Sequence, residues 1–366
     1  MNQSHEQYMA RAIELAQRGL YTTDPNPRVG CVLVKDGQVV GEGWHQKAGE
    51  GHAEVNAIAV AGVETQGSTV YVTLEPCSHF GKTPPCCEAL IKAKVAKVIA
   101  AMTDPNPLVA GKGFDKLRAA GIEVVSGVLE SEAQQLNPGF NQRMETGLPF
   151  VRCKMAMSLD GRTAMASGES QWITGAAARS DVQKLRARSS AIVTGIGSVL
   201  LDDPSLTVRA AELGVPNADE IAKRQPLRVV LDSSLQLPIN AKVAADPSRL
   251  IVVTADIKNE KAIALQSKGI TLWQHDTKDL KGLLVKLADV GCNEVLFETG
   301  ATLAGSLVAS RLVDEVIVYM APKLLGSQAR PLFNLPFDHM AEQVGLEIKD
   351  VRAVGEDWRI TAHLAS

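Results

Sequence analysis

The chain has 366 residues, 45% apolar and 22% charged, which is enough length for two domains with a core each. A net charge of −3 and only 4% aromatic residues leave no basic, stacking face for nucleic acid, so none is expected as a partner. The start Met1-Asn2-Gln3-Ser4-His5-Glu6 has no signal-peptide pattern and no apolar run reaches the roughly 18 residues of a membrane span, so a cytoplasmic protein without membrane contact is expected.

Apolar residues recur at Tyr8, Ala12 and Leu15, and at Met9, Ile13 and Ala16, which predicts a helix that Gly19 stops. Cys31-Val32-Leu33-Val34 reads as a strand, Asp36-Gly37 as a hairpin turn and Gln38-Val39-Val40 as the returning strand. A helix over 52–62, a strand over 69–74, a helix over 85–94, a strand over 97–100 and a helix over 113–120 follow. This alternation predicts an α/β domain of three layers.

His52-Ala53-Glu54, Pro76-Cys77 and Pro84-Pro85-Cys86-Cys87 form the pattern of a zinc-dependent nucleobase deaminase. His52 and Cys86 each start a predicted helix, where the positive helix end favours a thiolate. Three ligands, His52, Cys77 and Cys86, leave one tetrahedral position for water, and Glu54 stands two residues from His52 to move its proton. One alternative is a closed structural site with Cys87 as fourth ligand, and His79 competes as a ligand too. The spacing between the cysteines is wider than the generic deaminase pattern, with 78–85 intervening. The tetrapeptide Asp-Pro-Asn-Pro occurs at 24–27 and again at 104–107. Prolines on both sides restrict the asparagine, so Asn26 and Asn106 are aimed at a polar ring or ribose, or else mark two turns.

A helical stretch around 131–144 and the short linker Thr146-Gly147-Leu148-Pro149 separate domains over 1–147 and 148–366. Strands are expected at 150–156, 191–194, 227–231, 250–254, 294–298 and 315–319, with helices between several of them. No Gly-x-Gly-x-x-Gly is present in this half. Glycine turns follow two strands instead, at 194–198 and 298–306, and the second opens a helix whose amides suit a pyrophosphate.

The run 23–31 (TDPNPRVGC), His52-Ala53-Glu54, and Glu75-Pro76-Cys77-Ser78-His79 through Cys86 together resemble the bacterial bifunctional riboflavin-biosynthesis deaminase/reductases, wide cysteine spacing included. The segments 150–162 and 169–174 resemble their reductase half, which is dihydrofolate-reductase-like. The resemblance implies a cytidine-deaminase-like α/β/α domain followed by a dihydrofolate-reductase-like α/β domain. It also implies one zinc ion per chain, NADPH, and two reactions on phosphorylated pyrimidines: hydrolytic loss of a ring amino group, then reduction of the ribosyl chain to ribityl.

By the same resemblance His52, Cys77 and Cys86 are the zinc ligands and Glu54 the proton shuttle. Asn26, His45, Lys82, Asp104 and Asn106 meet the deaminase substrate, and Ser170, Arg186, Leu206, Arg209 and Glu298 the reductase substrate, with Arg186 and Arg209 on its phosphate. On residues alone, the reading of Arg186 as one more solvated helix charge beside Lys184 and Arg188 is the favoured one. Ala156, Trp172, Thr174, Ser198, Asp202, Ser233, Gly300, Ala301, Thr302, Leu303, Ala304, Gly305 and Ser306 are implied for NADPH, Ser233 at its 2′-phosphate. A homo-oligomer, by preference a dimer, is expected. Two other readings compete: a nucleic-acid-editing deaminase with an accessory binding domain, and a non-catalytic metal-stabilised module.

Overall fold

The computed structural model describes residues 3–79 and 84–365. The chain divides into two compact units, Met1–Leu148 and Pro149–Ser366.

The N-terminal unit holds β1 (Gly30–Lys35), β2 (Gln38–Trp44), β3 (Thr69–Val72), β4 (Lys97–Ala100) and β5 (Glu123–Ser126), in the sheet order β2-β1-β3-β4-β5. Its helices are α1 (Gln3–Gln17), α2 (Ala53–Ala61), α3 (Cys86–Lys92), α4 (Lys112–Ala119), α5 (Glu130–Leu136) and α6 (Pro138–Thr146). Asp36 and Gly37, at φ 50° and 78°, make the turn between antiparallel β1 and β2 that Asp-Gly favours. β3, β4 and β5 run parallel to one another.

Side-chain alternation along β1 creates the layers. Cys31 and Leu33 pack with Ala53 and Ala57 of α2, Leu90 of α3 and Leu117 of α4. Val32 and Val34 face the other way, into Met9, Ala12 and Leu15 of α1. The sheet is therefore buried on both faces, as the three-layer expectation requires. Two readings need correction. The expected helix around 131–144 is two helices, because Pro138 lacks an N–H and cannot continue the turn, and Asn137 sits between them at φ −131°. β5 was not expected, since its Val124 and Val125 are only half-buried and its ends are exposed.

The C-terminal unit contains β6 (Phe150–Ser158), β7 (Arg162–Ala164), β8 (Ala191–Gly195), β9 (Leu227–Leu231), β10 (Leu250–Thr254), β11 (Thr271–Gln274), β12 (Glu294–Glu298), β13 (Glu315–Ala321), β14 (Arg330–Pro331), β15 (Leu346–Val354) and β16 (Asp357–Leu364). A nine-stranded sheet has the order β11-β10-β9-β8-β12-β6-β13-β16-β15, and β7 pairs with β14 separately. From β11 to β13 all neighbours are parallel, and β16 and β15 are antiparallel additions. The six expected strands all lie in the parallel part, whose seventh member, the edge strand β11, was not expected. In the missed hairpin the outer strand β15 is exposed along nearly its whole length, and the buried positions of β16 include the polar Asp357, Arg359 and Thr361, so neither strand shows an apolar alternation.

The chain winds outward from β8 to β11 and then returns to lay β12 between β8 and β6. At such a reversal the strand ends leave a crevice, and ligands of open α/β sheets bind there. Ser158, Gly195 and Glu298 end the three strands around it.

Close packing of α2 on β2 depends on Gly43. A Cβ there would lie 2.4 Å from the Ala57 nitrogen and 2.5 Å from the Ala53 carbonyl oxygen. Gly43→Ala should therefore cost this unit about 1–3 kcal/mol, the usual range for overpacking. The check is the urea midpoint of the N-terminal transition, which should fall; an unmoved midpoint would contradict the close approach.

Candidate active sites

In the N-terminal unit, two helix starts and one loop bring three metal-type donors together. His52 caps α2 with extended backbone, Cys86 is the first residue of α3, and Cys77 lies on the loop leaving β3. Their ligand atoms all fall within 4.8 Å of one another. His52 Nδ1 is 3.2 Å from Cys86 Sγ and 3.6 Å from Cys77 Sγ. Bonds of about 2.0–2.3 Å to a tetrahedral zinc would set ligand atoms roughly 3.3–3.8 Å apart, so the donor set fits that ion. Cys77 is locked in place by its neighbours: its Sγ accepts from the Cys86 N–H and its carbonyl from the Cys87 N–H, each at 3.2 Å.

The two thiols share charge unequally. Hydrogen bonding from Cys86, with help from His52, holds Cys77 down at about 4, and the same contact pushes Cys86 up. Glu54, in the first turn of α2, is 3% exposed. Burial, reinforced by the negative Cys77, raises its carboxyl to about 7. Cys87 points into the core with Leu90 and Phe114, and His79 is exposed. Among the described residues the metal-type group is His52, Cys77 and Cys86, without either competitor.

His45 stands edge-on to His52, ring centroids 5.2 Å apart. Its Nδ1 is 3.1 Å from the Gly51 carbonyl, which can only accept, so Nδ1 carries the proton and Nε2 accepts from Asn26 Nδ2 at 3.1 Å. Burial lowers the His45 pKa and keeps the ring neutral. The first Asp-Pro-Asn-Pro thus aims Asn26 at a buried histidine. The second makes nested turns: Asp104 Oδ1 accepts from the Asn106 N–H and Asn106 Oδ1 from the Leu108 N–H. Lys82 lies outside the described residues.

In the C-terminal unit, Glu298 ends β12 beside Lys154 of β6, to which it is in register. Arg186 grips Glu298 with both arms of its fork, at 2.6 and 2.9 Å, and donates to the Thr207 carbonyl at 3.1 Å. Burial acts to raise the Glu298 pKa, but Arg186 and then Lys154 hold it below the usual range. Arg186 is therefore largely buried and paired, and is no solvated helix charge. Arg209 is exposed and forked onto Glu212, with both contacts at 2.6 Å. Leu206 is turned into the core at φ 51°.

Ser170 Oγ donates to Asp202 Oδ1 at 2.6 Å, while Trp172 is 65% exposed and Thr174 half-buried just before the helix Ala176–Arg188. Ala156 shares a β6 face with Lys154. Ser198 is half-buried near Gly300, and Ser233 is exposed beyond the end of β9. Gly300 caps the helix Ala301–Ala309, so Ala301, Thr302 and Leu303 supply its first amides, and a methyl at Gly300 would meet only Ser198 Oγ, at 3.9 Å. A nine-residue helix start with an open glycine cap and nearby hydroxyls fits a dinucleotide pyrophosphate. Ala304 is buried, Ser306 Oγ donates back to the Thr302 carbonyl, and Gly305 faces the Asn334 backbone, which a Cβ would meet at 2.2 Å. Gly305 thus serves helix packing.

Comparison with known proteins finds matches over both units. Residues 149–360 match the family model of the RibD C-terminal domain, and residues 2–102 that of the cytidine and deoxycytidylate deaminase zinc-binding region. The Escherichia coli riboflavin biosynthesis protein RibD is 51% identical over 358 residues, 96% of this chain and 97% of that protein. This chain belongs to the RibD family. A solved Acinetobacter baumannii RibD is 49% identical with a TM-score of 0.94, covering 99% of both chains. The Thermotoga maritima diaminohydroxyphosphoribosylaminopyrimidine deaminase/5-amino-6-(5-phosphoribosylamino)uracil reductase is 32% identical at a TM-score of 0.86, with 99% of each chain covered. The RibD-family fold, a deaminase-like unit followed by a reductase-like α/β unit, is the one described above.

Two residues of these sites escaped the sequence reading. Lys154 had a detectable signal, since a cation inside a buried parallel strand needs a partner. Glu75 had none, because its role exists only in three dimensions. Its carboxylate accepts from the N–H groups of Asp104, Gly111 and Gly113, at 3.1, 2.9 and 2.8 Å, and so ties the 104–113 loop to the Cys77 loop. Glu75→Gln should lower the stability of this unit by about 1–3 kcal/mol, the worth of charge-assisted bonds lost on burial. It should also speed hydrogen exchange at Gly111 and Gly113, and unaltered exchange there would show that the loop is held by something else.

Proposed function

We propose that this chain carries out two steps of riboflavin biosynthesis, one in each unit. Residues 1–147 hydrolyse the 2-amino group of 2,5-diamino-6-(5-phosphoribosylamino)pyrimidin-4-one, and residues 148–366 reduce the ribosyl side chain of the resulting uracil to ribityl. The observation that carries the reading is the His52–Cys77–Cys86 donor set beside a carboxylate that is almost fully buried. It is supported by the names of the E. coli and T. maritima relatives.

Zinc, one per chain, would be held by His52, Cys77 and Cys86 and would supply Lewis-acid activation of water. Glu54 accepts the proton of that water at a carboxylate oxygen as the new C–O bond forms at the ring carbon. It then returns the proton to the departing nitrogen, so that the C–N bond breaks and ammonia leaves. His45, neutral and fixed by Gly51, holds Asn26 at the wall of the pocket, with Asp104, Asn106 and Lys82 as the remaining substrate contacts.

NADPH would supply a hydride in the second unit, its pyrophosphate at the free amides of residues 300–303 at the start of the 300–306 segment and its remaining contacts at Ala156, Trp172, Thr174, Ser198, Asp202 and Ser233. Ser170, Leu206 and Glu298 bound the pyrimidine side. Arg209 and Arg186 take the phosphate, which guanidinium forks bind bidentately. Of the two, Arg209 is exposed, whereas Arg186 would first exchange the Thr207 carbonyl. The reading includes a cytoplasmic homo-oligomer, by preference a dimer. No described helix is long and apolar enough to cross a membrane.

Both half-reactions should be assayed in Glu54→Gln and Arg209→Ala. Glu54→Gln should lose at least about a hundredfold in ammonia release, the usual scale of general acid–base catalysis, and keep the reduction. Arg209→Ala should do the reverse through a raised KM for the phosphorylated substrate. Loss of both activities in both variants would argue against separate sites. Chelation should abolish deamination until one equivalent of zinc is returned, and active protein without stoichiometric zinc would sink the first half of the proposal.

A further inference from the structure

Trp172 is an anomaly in the reductase unit. It is a large apolar ring, 65% exposed, on a segment that precedes the helix Ala176–Arg188 and has little apolar packing of its own. Such a residue would normally sweep through many rotamers. Here the peptide that carries it is held from three directions. Ahead of it, Ser170 Oγ and Gln171 Nε2 donate to Asp202, at 2.6 Å to the carboxylate and 3.4 Å to the backbone carbonyl. At the residue itself, Lys323 Nζ donates to the Trp172 carbonyl at 2.9 Å. Behind it, Arg179 Nη1 donates to the Thr174 carbonyl at 2.9 Å, and the same guanidinium lies 4.6 Å from the centre of the indole ring.

The Lys323 end is itself anchored. The Lys323 carbonyl accepts from the Leu159 N–H at 2.8 Å, and the Asp160 carboxylate accepts from Leu325 and Gly326, at 3.1 and 2.8 Å. A turn of the loop after β6 therefore fixes the loop after β13, and that loop fixes Trp172. A cation on one face of an indole polarises the ring and covers that face, so a second planar group can be taken only on the other.

From this geometry we propose that Lys323 and Arg179 are positioning residues of the reductase, holding Trp172 as a preset platform for a planar ring of its ligand. The inference rests on the proposed function for the identity of that ligand, NADPH, whose nicotinamide and adenine are both planar. Neither cation need touch the cofactor. Each works by sparing the complex the entropy of ordering the indole on binding.

The test uses the full-length protein with Lys323→Met, Lys323→Arg, Arg179→Gln and Trp172→Ala. NADPH binding is followed by calorimetry and by quenching of tryptophan fluorescence, with deamination as a control for folding. Lys323→Met and Arg179→Gln should each weaken NADPH binding about three- to tenfold, the worth of one such contact. They should raise the KM for NADPH more than they change kcat, and leave deamination intact. Lys323→Arg should restore binding. In the Trp172→Ala background, Lys323→Met should have no further effect, because the group it positions is gone. Equal affinity in Lys323→Met and the unaltered protein would overturn the proposal, as would losses that simply add in the double variant. Unaltered protein that does not bind NADPH would instead refute the assignment of the cofactor.

Discussion

A helix can deliver its first residues to a fixed point only when its axis is fixed, and in the N-terminal unit this depends on how near α2 comes to β2. Glycine at 41 and 43 lets backbone meet backbone there; a Cβ at either would lie within about 2.5 Å of Ala57. α2 has no side-chain hydrogen bond at its cap, so the sheet and not the cap sets where it begins. That position places His52 at the metal-type group and puts Glu54, two residues on, under cover. The burial that raises Glu54 and the alignment that aims His52 thus share one cause. The same helix start makes a carboxylate tolerable at that depth, since the positive end of α2 lies beside it.

The reductase unit solves its placement problem with charge instead of glycine. Arg186 links Glu298 of β12 to the Thr207 carbonyl, so the helix Ala176–Arg188, a sheet strand and the 202–209 loop share one guanidinium. Tyr319 and Arg359 both reach Asp181, at 2.6 and 3.0 Å, and bind the same helix to β13 and β16. Arg152, on β6 between β12 and β13, is enclosed by Glu294 and Glu315. Buried ion pairs contribute little net stability compared with apolar packing, but breaking one side strands the other charge. Such pairs tolerate few alternative arrangements, which suits a crevice whose walls come from distant parts of the chain.

Much of this was readable beforehand, for physical reasons that differ by region. Six of the seven parallel strands of the C-terminal unit were legible as short apolar runs because both their faces are covered, whereas β11 at the sheet edge is only half-buried at Leu272 and Trp273. The zinc-type residues are local in sequence, within 52–86, and thiolate chemistry restricts which residue types can serve. The hairpin β15–β16 left no such trace, since β15 is an exposed edge strand and the alternating buried positions of β16 include the polar Asp357, Arg359 and Thr361. The partnership of Arg186 with Glu298 was likewise unreadable, because the two are 112 residues apart and a lone arginine on a helix reads as solvated. Asn106 shows the converse: its motif matched that of Asn26, yet its oxygen is committed to a local turn.

The strand order has a bearing on how the C-terminal unit is made. β6 is complete at Ser158, but its neighbour β12 begins only at Glu294, and its other neighbour β13 later still. During synthesis β8 to β11 can pair among themselves while both edges of β6 remain unsatisfied. The ligand crevice therefore cannot close until β12 has been made, and a nascent chain halted before Glu294 presents bare strand edges to whatever is nearby.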